Sequence, residues 1–91
     1  MDMRAIEEYT ETIHVRISKA TETVWEGQAR SLSSVNSSGP FDILPMHANF
    51  ISLVKDRPIR IIEQNGHEFE YSCKQAVIYV ASNEAKIYVD I

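Results

Sequence analysis

Gly39-Pro40-Phe41-Asp42-Ile43-Leu44-Pro45-Met46-His47-Ala48-Asn49-Phe50-Ile51-Ser52-Leu53-Val54 is the stretch whose reading decides the fold. Pro40 and Pro45 each remove a backbone donor and fix φ, so neither a regular helix nor a central strand can run through them. Phe41, Ile43 and Leu44 are nevertheless too apolar for a free loop. The two facts together predict a bent, buried segment at a sheet edge. From Phe50 the pattern becomes a plain strand, with Phe50, Ser52 and Val54 on one side and Ile51 and Leu53 on the other.

Strands extend from this stretch in both directions. Upstream, Ile13, Val15 and Ile17 alternate with Thr12, His14, Arg16 and Ser18, which predicts a strand with one dry and one wet face. A turn over residues 20–23 leads to a strand over 24–32, with Trp25, Gly27 and Ala29 on one face. A glycine inside a strand implies a bulge or a close backbone approach. The serine-rich residues 31–39 read as a polar crossing into the central stretch. Downstream, residues 55–58 turn the chain into a strand carrying Ile59, Ile61 and Ile62. Asn65-Gly66 predicts a tight hairpin with positive φ at both positions, returning through Phe69, Tyr71 and Cys73. A second hairpin, over 76–81 and 86–91, turns at Ser82-Asn83-Glu84. Its residues Ile78 and Val80 face away from Val77 and Tyr79, and Ile87, Val89 and Ile91 face away from Lys86, Tyr88 and Asp90. No helical period competes. Residues 1–11 read as an N-terminal tail, with Glu7, Glu8 and Glu11 forming at most one frayed turn, and residues 12–91 as one domain. The expectation is an all-β chain of seven or more short strands, a β-sandwich or small barrel.

Composition narrows the function. The chain has 91 residues, 44% of them apolar, enough for a single core. Its net charge of −4, with no basic cluster, gives no pull toward nucleic acid. Cys73 is the only cysteine, so there is no internal disulfide and no multi-cysteine zinc site, and Cys73 itself reads as a small apolar side chain. No apolar run is long enough for a membrane-spanning helix and the N-terminus lacks a signal-peptide pattern, so a cytosolic setting is expected.

Chemistry needs groups that converge, and the sequence offers none. His14, His47 and His67 are scattered and lack metal-ligand spacing. The serines of residues 31–38 have no neighbouring base, and the three glycines are isolated, so no phosphate loop forms. No enzyme activity, cofactor or metal is expected. His47, a polar ring in an apolar bend, has two readings. It is a structural histidine bonded to the bent backbone, or a proton-transfer or partner-contact group. Val77, Tyr79 and Tyr88 also have two readings: a partner surface, or cross-strand packing on an exposed sheet.

Ile43-Leu44-Pro45-Met46-His47-Ala48 resembles the Ile-Leu-Pro-Gly-His-Ala motif in the epsilon subunit of F-type ATP synthases. Val24-Trp25-Glu26-Gly27, Ile59-Arg60-Ile61 and Asn65-Gly66-His67-Glu68 are similar to further strands of that subunit's N-terminal domain. The resemblance implies a sandwich of about ten short, mostly antiparallel strands and a non-catalytic role in the rotor, supporting proton-coupled ATP synthesis. It implies packing on the gamma subunit, for which Val77, Tyr79 and Tyr88 are the candidate contacts. It also implies contact with the c-ring through residues 36–47, with Asn36, Gly39, Pro40, Asp42, Pro45 and His47 as candidates. The membrane would be approached only through the complex, from the cytoplasmic face of the inner or plasma membrane. The sequence departs from the family at Met46, where a glycine is usual, at Pro40 and Asp42, and at Gln75 and Ala76, where paired glycines are usual. Many members continue into a C-terminal helical hairpin. This sequence stops at Ile91, and a short form that does not bind ATP is the corresponding expectation. The departures motivate one alternative, a free-standing sandwich module of this type with a different partner.

Overall fold

The computed structural model of the chain describes residues 11–90. Over them the protein is all-β, with eight strands. These are β1 (Ile13–Lys19), β2 (Glu22–Asn36), β3 (Gly39–Ile43), β4 (Phe50–Lys55), β5 (Ile59–Glu63), β6 (Glu68–Tyr71), β7 (Gln75–Ala81) and β8 (Glu84–Val89). The strands follow the order β4-β7-β8-β1-β2-β5-β6, with β3 paired to β2 beside this path. Every pairing is antiparallel except β1 with β8. The sheet curls into a β-sandwich. The expected frayed turn in the tail lies outside the described residues, apart from Glu11.

Eight described strands stand against the ten or so expected, and β2 accounts for part of the difference. The polar crossing expected over residues 31–39 is in fact the second half of a 15-residue strand and its turn. Leu32 points into the core and Ser34 is buried beside it. The Ser34 hydroxyl donates to the Pro58 carbonyl at 2.9 Å, so a serine can sit on an inward face without an unpaired polar group. The first half of β2 pairs with β1, and the second half pairs with β3 and β5, with a register shift between Ala29 and Ser31. The irregularity lets one strand pass from one layer to the other.

The core is formed by the inward residues of this alternation. Ile13, Val15, Ile17, Leu32, Ile43, Val54, Ile59, Ile61, Ile78, Val80, Ile87 and Val89 are all fully buried. These β-branched and leucine side chains fit a pleated, two-layer interior.

Two turns differ from expectation. The tight turn with positive φ at both positions falls at Ser82 (φ 52°) and Asn83 (φ 60°), between paired Ala81 and Glu84. At Asn65-Gly66 only Gly66 has positive φ, 89°. There the Gly66 N–H donates to the Glu63 carbonyl at 2.9 Å and the Glu63 N–H donates to the His67 carbonyl at 2.7 Å. The loop thus holds three residues and closes with a left-handed glycine, which removes the need for positive φ at Asn65.

The central stretch is an edge, as its prolines require. Pro40 lies in β3 opposite Val35, and among the described residues β3 has β2 as its one ladder neighbour. The bend after it is less buried than expected. Ile43 is buried, but Leu44 and Met46 are exposed, Met46 at 67%. Hydrogen bonds hold this bend rather than burial. The His47 N–H donates to the Leu44 carbonyl at 3.1 Å, and the Met46 N–H donates to Asn83 Oδ1 at 2.8 Å.

Candidate functional site

The outward face of β4, β7 and β8 carries the most prominent apolar surface. In register, Ile51 stands opposite Tyr79, which stands opposite Lys86, and Arg16 of β1 follows. The next inward-outward repeat sets Leu53 opposite Val77, Val77 opposite Tyr88, and Tyr88 opposite Ser18. Ile51 is 69% exposed, and Leu53, Tyr79 and Tyr88 are also exposed, while Val77 is half-buried. Strand alternation explains the arrangement: the partners of these residues on the opposite face, Ser52, Val54, Ile78, Val80, Ile87 and Val89, fill the core.

Val77, Tyr79 and Tyr88 therefore come together on one face. Ile51 and Leu53 join them, and the sequence reading left them out. The signal existed, because both sit on the outward side of an alternating strand. What was missing was the β4–β7 pairing, a contact between segments more than twenty residues apart.

The candidates from residues 36–47 do not form one cluster. Asn36, Gly39, Pro40 and Asp42 lie on the β2–β3 hairpin. Pro45 and His47 follow the far end of β3, four strand steps or about 13 Å from Gly39, with Asp42 one step before that end. At the hairpin tip the Asn36 side chain accepts from the Ser38 N–H at 2.9 Å and donates to Ser52 Oγ at 3.0 Å. Gly39 has φ of 120°, a conformation that other residues rarely adopt. Asp42 is exposed, and its Oδ1 accepts from Ser33 Oγ at 2.5 Å. A groove between this tip and the end of β4 is lined by Val35, Asn36, Ser37, Leu53, Lys55 and Arg57. Leu53 thus borders both the apolar face and the hairpin tip.

His47 is half-buried, with Nδ1 2.7 Å from the Ala48 carbonyl and its ring edge-on to Phe50 at 5.6 Å. That is the geometry of a ring bonded to bent backbone. The other histidines are engaged elsewhere: His14 Nε2 lies 2.8 Å from Glu26 Oε2, and His67 Nε2 lies 3.9 Å from Glu63 Oε2. Burial, and secondarily the Asp90 carboxylate, push the Cys73 thiol above its usual range, away from the reactive thiolate. Among the described residues no group of three His, Cys, Asp or Glu is placed to hold a metal ion.

Comparison with known proteins agrees with this architecture. Residues 12–91 match the family model described as ATP synthase, Delta/Epsilon chain, beta-sandwich domain. A curated relative, the ATP synthase epsilon chain of Alkalilimnicola ehrlichii, is 25% identical over 79 residues, covering 87% of this chain and 56% of its own length. The ATP synthase epsilon chain of Delftia acidovorans is 35% identical over 57 residues, covering 63% of this chain and 41% of its own. The chain therefore spans about half the length of these relatives. Among solved structures, a chain of the Euglena gracilis mitochondrial ATP synthase (OSCP, F1 and c-ring) superposes with a TM-score of 0.79 over 86% of this chain and 50% of that one. A chain of the Tetrahymena thermophila mitochondrial ATP synthase central stalk and c-ring gives 0.70 over 84% and 61%. Both are 11% identical to this protein, a level at which the likeness concerns the fold.

Proposed function

The chain belongs to the delta/epsilon-chain β-sandwich family of ATP synthases, and on that premise we propose that it is a non-catalytic subunit of the rotor, linking a gamma subunit to a c-ring. The observation that carries the reading is the family match across residues 12–91, which takes in every strand of the sandwich. In this role the subunit transmits torque and holds its neighbours in register, so it needs shape and surfaces rather than a reacting centre. The dispersed histidines, each engaged with a different neighbour, fit that role.

Two surfaces divide the work. The face bearing Val77, Tyr79 and Tyr88 packs on gamma. The β2–β3 hairpin, with Asn36, Gly39, Pro40 and Asp42 at and beside its tip, meets the polar loops of the c-ring, while Pro45 and His47 shape the bend that carries β3 into β4. The subunit sits peripherally, on the cytoplasmic side of the membrane that holds the c-ring, and supports proton-coupled ATP synthesis.

The test is co-purification followed by reconstitution. Gamma from the same organism is expected to retain the chain, and rotor complexes assembled without it are expected to hydrolyse ATP with weakened proton pumping. Failure of gamma to retain the chain would reject the reading and favour the free-standing module with another partner.

A further inference from the structure

The charges around the apolar face point to the chemistry of what covers it. Lys86 stands directly opposite Tyr79 in the β7–β8 ladder, and Arg16 stands beside Lys86 across the parallel β1–β8 pairing. Two cations thus stand side by side across this pairing, and Glu26 stands opposite Arg16 on its other side. Arg16 is held by a hydrogen bond from Nε to Thr23 Oγ1 at 3.2 Å. The Lys86 side chain has no hydrogen bond or ion pair among the described residues. At the other border Lys55 follows Leu53 on the outward side of β4, and Arg57 lies beyond it along the groove at the hairpin tip.

The acidic groups nearby are mostly committed. Glu26, beside Arg16, is drawn to His14 at 2.8 Å. Asp90, two residues after Tyr88, accepts from the N–H groups of Lys74 and Gln75 at 3.0 and 3.3 Å. Asp56 lies in the turn between Lys55 and Arg57. Glu84 precedes Lys86 by two on the same face, one repeat beyond the apolar rows, and lines a pocket with Tyr79 and Lys86. The charged residues that stand within the two apolar rows are therefore both cations, Lys86 and Arg16, while one repeat beyond the rows lie Glu84 on one side and Lys55 and Asp90 on the other.

We infer that the Ile51, Leu53, Val77, Tyr79 and Tyr88 face receives a partner segment that is itself apolar and carries a carboxylate placed against Lys86, with Lys55 reading a second acidic group at the opposite border. The inference rests on the rotor reading for the identity of the partner and adds the chemistry of the contact. The apolar rows supply the desolvated centre of the interface, and the lysines supply orientation at its rim. A carboxylate against Lys86 would also lie close to Arg16, its neighbour across the parallel pairing. Ile51 and Leu53 lie on β4, whose one ladder neighbour among the described residues is β7, so the partner reaches both the side chains and the edge of the strand.

The experiment uses the purified gamma subunit as the probe and carbodiimide coupling, which joins an amine to a carboxylate in direct contact. Lys86 is expected to appear in a cross-link to an aspartate or glutamate of gamma. Lys86→Arg is expected to keep binding and lose that cross-link. Lys86→Glu is expected to weaken binding about tenfold, with the loss shrinking at about 0.5 M salt. Its reversed charge lies beside Arg16, so the fold is not endangered. Ile51→Lys, an exposed substitution, is expected to weaken binding at least about tenfold. Binding unchanged in both Ile51→Lys and Lys86→Glu would overturn the docking face while leaving the rotor role standing. Weakening in Ile51→Lys alone, with cross-links mapping elsewhere, would overturn the carboxylate. No binding of gamma to the unmodified chain would overturn the rotor reading and this inference with it.

Discussion

Gly27 shows how a single missing side chain organises its surroundings. A Cβ added there would lie 2.8 Å from Trp25 Cζ2 and 3.0 Å from Cη2, closer than packed atoms allow. The indole lies over the glycine and meets Phe69 edge-on at 5.1 Å, so it cannot move aside without giving up that contact. On backbone entropy alone, Gly27→Ala in a strand should stabilise the protein. The clash reverses the sign, and a loss of about 1–3 kcal/mol is expected by thermal melting. In a Trp25→Leu background the clash is gone, and the same substitution should become neutral or favourable, a coupling that a double-mutant cycle reads directly. Met46 is the opposite case. Its φ of 63° places a long side chain in the left-handed region, yet that side chain is largely in solvent. Relief of the backbone strain should outweigh the flexibility glycine adds to the unfolded chain. Met46→Gly is expected to raise stability by up to about 1 kcal/mol, seen as a higher melting temperature. The Met46 N–H that donates to Asn83 is kept in that variant, so a fall in stability would show that the exposed methionine is held by something other than its backbone.

Asn83 ties three elements together from a two-residue turn. Its Nδ2 donates to the Thr12 carbonyl at 2.8 Å, its Oδ1 accepts from the Met46 N–H at 2.8 Å, and its own carbonyl accepts from the His14 N–H at 3.2 Å. One side chain thus joins the β7–β8 turn to the start of β1 and to the bend after β3. Asn83→Ala loses both side-chain bonds and forces alanine into a left-handed φ, so a loss of about 2–4 kcal/mol is expected. Asn83→Gly keeps the turn comfortable and loses only the side-chain bonds, so it should fall between the two in chemical denaturation. The sequence showed the turn but not this clasp, because the partners of Asn83 lie 37 and 71 positions away in the chain. The same limit recurs elsewhere. Alternation in β1, β7 and β8 identified the buried residues Ile13, Val15, Ile17, Ile78, Val80, Ile87 and Val89, since period-two patterning is local, while Ile91 lies outside the described residues. The length of β2 escaped notice because Ser31, Ser33 and Ser34 read as turn residues, and only the distant Pro58 carbonyl makes a buried Ser34 acceptable. The outward face was half legible for the same reason: Val77, Tyr79 and Tyr88 lie on one hairpin, and Ile51 and Leu53 join them through a long-range pairing.

At the scale of the whole molecule, an apolar face next to an open sheet edge is a liability. Among the described residues β4 presents Ile51 and Leu53 to solvent and has one ladder neighbour, β7, which leaves its other side open there to pairing with another chain. Proteins usually guard such an edge with charge, proline or a bulge. Lys55 at the end of β4 is the one charge within this strand, and it lies past the apolar pair rather than between its members. The isolated chain is therefore expected to self-associate as its concentration rises, through the same surface that a partner would cover. Ile51→Lys places a charge at the centre of the strand's exposed side, where nothing inside the fold depends on the isoleucine. Its stability should stay within about 0.5 kcal/mol of the unmodified chain, as exposed substitutions do, while sedimentation velocity should show a shift toward monomer. Addition of gamma should suppress self-association of the unmodified chain, because the two contacts compete for one face. An unmodified chain that stays monomeric at high concentration, or an association that survives both Ile51→Lys and gamma, would mean that this edge is guarded in a way its residues do not reveal.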